Sequence, residues 1–170
     1  MKKTIVYLTA AFMALGIIAL GALKVSDNQG YAESSKSAQV SDEKAMEEST
    51  QKMEGLEFVQ SVPKDASENA LWAMMHKMTH QKVIASEKWG LIRMNDESIA
   101  KAEEILIASD FKSKEDLLQI IERWKNGQFD QVDDEHNFIW GMQGGSIGEA
   151  RGILTEEQEK EFIENNFTGE

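Results

Sequence analysis

The residues that could do unusual chemistry are few: 170 residues carry three histidines and no cysteine. His76 and His80 stand four apart in "LWAMMHKMTHQKVIASEKWG", residues 71–90, a stretch with helical periodicity. On a helix, that spacing puts two imidazoles on one face, the geometry by which a helix offers two nitrogens to one zinc ion. On a helical wheel both rings fall at the border of an apolar arc made by Leu71, Met74, Met75 and Met78, where packed side chains meet water. His136 can supply a third ligand if its helix packs on the first, leaving an acid such as Asp133 or Glu87 for a fourth position. The competing reading makes the histidines boundary residues that hydrogen-bond to a neighbouring acid. Lys77-Met78-Thr79 separates the pair, so the glutamate that serves as general base in H-E-x-x-H enzymes is missing.

Other motifs carry less. Gly144-Gly145-Ser146-Ile147-Gly148 fits G-x-S-x-G, but a nucleophile elbow needs a parallel sheet and a histidine after the serine, and all three histidines precede Ser146. The glycines read instead as a turn that ends a helix. "DQVDDEHN", residues 130–137, gathers acids without the ligand alternation and central glycine of a calcium loop, and acids are expected in a first helical turn. Met74, Met75, Met78 and Met94 are core before they are a soft-metal or peptide-binding surface. Trp72, Trp89, Trp124 and Trp140 are core anchors first and binding residues second. Asn166-Phe167-Thr168 is a weak glycosylation match.

The elements that must position the histidines are helices. Ser67 caps the helix of His76; Asn95 opens a second one through Ile99, Ala102 and Leu106. Ser113 with Asp116 predicts a capping box for a third, carrying Leu117, Ile120, Ile121 and Trp124 up to Asn126-Gly127. Asp130 is expected to cap a fourth, through Phe138, Ile139 and Trp140. Thr155 with Gln158 forms another box, before a helix that buries Phe162 and Ile163. No segment shows the alternation of a strand, so the fold class is all-α, a small bundle of about four to five helices over residues 62–170.

Ahead of the bundle, residues 4–23 form an uncharged run about as long as the roughly 20 residues that cross a bilayer. Lys2 and Lys3 before it favour an inside N-terminus and a domain outside, by the positive-inside bias. This predicts a single-pass membrane anchor at 1–23; the alternative is a signal peptide cleaved near Ala32, giving a secreted protein. Residues 24–61 read as an acidic linker rich in Ser, Glu and Lys, too poor in apolar residues to order itself. Val40, Met46 and Met53, near heptad spacing, offer a short helix or stalk there as the alternative. The net charge is −12 overall, and without residues 1–32 there remain 15 basic against 29 acidic side chains, near −14. Such a surface excludes nucleic acid as a partner and favours cations or a basic partner.

The blocks "MHKMTHQKV" (75–83), "EKWG" (87–90), "HNFIWGMQGGSIGEARGIL" (136–154) and "TEEQEKEFIENNF" (155–167) resemble a family of unknown function: short, N-terminally anchored, exported proteins of spore-forming Gram-positive bacteria. The resemblance spans roughly residues 69–167 and implies one domain outside the membrane; it lends no chemistry. The expected function is therefore a membrane-tethered binding or regulatory module that contacts an envelope protein or basic ligand. A zinc-binding domain built on His76, His80 and His136 is the alternative, with a metallohydrolase further off. No catalytic residue stands out among so many exposed carboxylates, which weighs against an enzyme.

Overall fold

The structure, a computed structural model, describes residues 44–53 and 62–167. Six helices lie among them: α1 (44–50), α2 (Glu68–Thr79), α3 (Asp96–Ala108), α4 (Lys114–Lys125), α5 (Val132–Met142) and α6 (Glu156–Asn166). The chain is all-α, and the one β-type pairing among the described residues is an isolated antiparallel bridge between Val83 and Ile153. No helix among the described residues is long and apolar enough to cross a membrane. The apolar run at 4–23 lies outside the described residues.

Local chemistry sets most helix ends. Ser67 accepts from the Ala70 N–H, while Asn95 with Ser98 and Thr155 with Gln158 form reciprocal capping boxes. Two expected caps do not form. The Ser113 hydroxyl donates to Glu68 Oε1 (2.7 Å) and accepts from Trp72 Nε1 (2.9 Å), so it ties α4 to α2 instead of closing its own helix. Asp130 lies one residue too early; α5 begins after Gln131, which makes no side-chain cap.

The main core joins α2, α3, α4 and α5 through Leu71, Met74, Met75, Met78, Ile105, Leu106, Leu117, Ile121, Trp124 and Ile139. The methionine stripe is thus interior packing, not a metal or peptide surface. Trp124 is buried and Trp72 packs against the core, but Trp89 is 69 % exposed and anchors nothing inside. A smaller cluster of Leu91, Leu154, Phe162 and Phe167 seats α6. Glu135 at the start of α5 accepts from Arg123 Nε and Trp124 Nε1, fixing α5 against the end of α4.

Residues 44–53, inside the stretch that composition assigns to a linker, are packed on the domain. Ala45, Ser49 and Thr50 are buried, whereas Met46 is exposed. Apart from Met53, which packs against the cluster of Leu91, Leu154, Phe162 and Phe167, the contact is made by small and polar side chains and by hydrogen bonds, so no apolar stripe advertises it.

Candidate metal centre

α2 and α5 pack side by side and bring the three histidines together. One nitrogen from each of His76, His80 and His136 lies within 4.8 Å of the others. Ring centroids are 4.8 Å apart for His76 and His80, 4.5 Å for His76 and His136, and 5.6 Å for His80 and His136. His80 sits at the C-cap of α2 in helical conformation, which keeps the one-face spacing with His76. His80 and His136 are buried and His76 is half-buried, so the group opens to solvent on the His76 side.

Each ring has its Nδ1 against a protein oxygen. His80 Nδ1 is 2.7 Å from the Gly90 carbonyl, His136 Nδ1 is 2.7 Å from Thr79 Oγ1, and His76 Nδ1 makes a longer contact, 3.4 Å, with Gln143 Oε1. The Thr79 hydroxyl also has the His76 carbonyl at 2.6 Å as an acceptor, so in the Nδ1–H tautomer of His136 a relay runs from the ring through Thr79 to the main chain. For His76 and His80 such partners favour the Nδ1–H tautomer and leave Nε2 with a free lone pair, the arrangement that supports metal-ligating histidines, whereas at His136 the Gly148 carbonyl beside Nε2 competes with Thr79 for the single ring N–H.

Two glycines shape this ring of acceptors. Gly90, at φ +83°, turns its carbonyl to His80, and a Cβ there would lie 2.8 Å from the Lys77 side chain. Gly148, at φ +91°, brings residues 143–148 so close that a Cβ would sit 2.5 Å from the Glu87 carbonyl oxygen, and its own carbonyl is 3.1 Å from His136 Nε2. A metal on His136 Nε2 needs the Nδ1–H tautomer, so Gly148 is the contact that must yield on loading.

Burial drives the electrostatics. Desolvation holds His136 down to about 3, with His76 adding repulsion. Desolvation also lowers His76, and it pushes His80 well below the ordinary histidine range, with the other two rings adding to the effect. All three rings are neutral at pH 7, the state a metal requires. The unfolded chain binds protons near pH 6.5 while the folded chain does not. The stability the neutral rings confer is therefore complete above 6.5 and falls as pH drops toward about 3, where His136 protonates in the fold. For His136 the expected loss in the metal-free chain is about 1.4 kcal/mol per pH unit across that window. Thermal melts at pH 7.5, 5.5 and 4.5 check it; a His136→Gln variant with an unchanged slope would contradict it.

Neither acid considered for a fourth position joins the group. Glu87 is exposed and accepts from Trp89 Nε1 at 3.2 Å, and Asp133 stays in the first turn of α5. Ser146 of the G-x-S-x-G match lies in an irregular segment with no strand before it and no helix directly after it. The acceptors Thr79, Gly90, Gln143 and Gly148 are missed by sequence reasoning: Gly90 is a single glycine after Trp89, and Gly148 is one of four glycines within residues 144–152.

Fold and site together define a small all-α domain with a three-histidine cluster between two helices and the loops that follow them. Residues 75–164, just over half of the chain, match a family of unknown function (DUF6241), and the chain belongs to that family. The matched region holds all three histidines and leaves out α1. No curated protein and no solved structure matches.

Proposed function

We propose that this domain binds one transition-metal ion, zinc in the first instance, through Nε2 of His76, His80 and His136. The observation that carries the reading is the convergence of three neutral imidazoles, each with its Nδ1 against a protein oxygen. An all-imidazole donor set suits zinc, copper, nickel or iron and not magnesium or calcium, which take oxygen ligands. Zinc supplies a tetrahedral centre with one position beyond the three histidines. Among the described residues no carboxylate joins the rings, so the geometry names no general base, and the reading is of a metal-holding module.

The setting belongs to the same proposal: residues 1–23 tether the domain to the membrane, with the acidic remainder outside. The uncharged run at 4–23 and the lysines ahead of it support this, and an acidic surface suits cations and a basic envelope partner. Elemental mass spectrometry after gel filtration tests the metal reading. One zinc per chain is expected in the wild type and none in His76→Ala, His80→Ala or His136→Ala. A wild type free of zinc after incubation with the ion would overturn it.

A further inference from the structure

α1 is fastened to the segment that orients the histidines. Ser49 Oγ accepts from the Ala85 N–H at 3.0 Å and has the Ala85 carbonyl at the same distance. Lys88, buried under the segment, donates from Nζ to the Ser49 carbonyl at 2.8 Å and lies 4.6 Å from the centre of the Phe162 ring. On its other side the end of α1 is held by α6: Asn165 Nδ2 donates to the Thr50 carbonyl (2.9 Å), and Asn166 Nδ2 to the Gln51 carbonyl (3.2 Å). Asn166 Oδ1 accepts from the Met53 N–H at 2.8 Å.

The same short loop, residues 85–90, reaches the metal centre at two points. Gly90 presents its carbonyl to His80 Nδ1, and the Glu87 carbonyl packs against Gly148, whose own carbonyl meets His136. Four residues of one loop, Ala85, Glu87, Lys88 and Gly90, therefore stand between α1 and two of the three ligands.

Resting on the metal reading above, we propose that docking of residues 44–53 tunes metal affinity, so that lifting α1 from the domain loosens the centre without removing a ligand. The chain from α1 back to the apolar run at 4–23 is about twenty residues long, so a pull or a competing partner on that stretch acts on α1 first. Loss of an outer hydrogen-bond partner of a metal ligand weakens affinity by roughly 10- to 100-fold.

The test uses the full chain with zinc alone as the probe. A Ser49→Ala, Lys88→Met double variant, which leaves all three histidines and their direct partners in place, is expected to raise the zinc Kd more than twofold, toward the roughly tenfold that loss of a direct partner gives. A Kd within twofold of wild type would overturn the coupling and leave the metal reading intact, whereas no zinc on either protein would overturn both. Should the variant not fold, hydrogen exchange on the wild type decides, because linkage is reciprocal. Zinc is expected to slow exchange at 44–53 by a similar factor, and unchanged exchange there would overturn the coupling.

Discussion

Zinc at a thousandfold excess over its Kd is expected to stabilise the wild-type chain by about 4.1 kcal/mol, read as a higher melting temperature. The effect arises because the folded chain alone assembles the three nitrogens: His76 and His80 come from α2, but His136 is brought in from α5 by tertiary packing. An unfolded chain keeps isolated imidazoles, whose zinc affinity is far lower. His136→Ala is expected to abolish the rise while leaving a folded, somewhat less stable protein, since it deletes a fully buried ring. Magnesium at the same concentration is expected to give no rise, because the site offers no oxygen cage. A zinc-induced shift that persists in all three alanine variants would assign the ion to surface carboxylates instead.

The largest expected change in stability without metal is at Glu135. Its carboxylate is 4 % exposed and receives both the Arg123 Nε–H and the Trp124 Nε1–H. Desolvation pulls its pKa upward against those two donors. Glu135→Ala leaves a buried indole N–H without its acceptor and strips Arg123, itself partly exposed, of its counter-charge. Removing one partner of a buried pair costs roughly 3–5 kcal/mol, and access of Arg123 to water puts the expected loss near the lower end, about 3 kcal/mol. Because Glu135 precedes His136 on α5, the variant is also expected to bind zinc more weakly. Urea denaturation checks the first effect; a loss below about 1 kcal/mol would show that the pair contributes little to the seat of α5.

How much of this could be read from the chain varies with the range of the interaction. Ser67, Asn95 and Thr155 act within their own helical turns, and local sequence identifies them. Ser113 has the same pattern and fails, because Glu68 and Trp72, 45 and 41 residues away, take its hydroxyl. The methionine stripe is legible as core from its spacing, while Trp89 breaks the rule that tryptophan packs inside. α1 hides in an acidic segment because its buried face is Ala45, Ser49 and Thr50, and backbone hydrogen bonds to Asn165 and Asn166 leave no hydrophobic trace.

At the site itself, one helical turn relates His76 to His80, so that pair is visible in the sequence. Whether His136 joins them depends on how α2 and α5 pack, which no local pattern encodes. The acceptors are further removed still: Gly90 and Gly148 contribute carbonyls, and only their positive φ marks them as unusual.

Diffraction from zinc-loaded crystals of the chain, recorded on both sides of the zinc absorption edge, tests the central claim most directly. A single anomalous peak is expected about 2.0–2.1 Å from one nitrogen of each of His76, His80 and His136, with the Gly148 carbonyl turned away from His136. Anomalous density confined to surface carboxylates, with the three rings still hydrogen-bonded to Gln143, Thr79, Gly90 and Gly148, would contradict it.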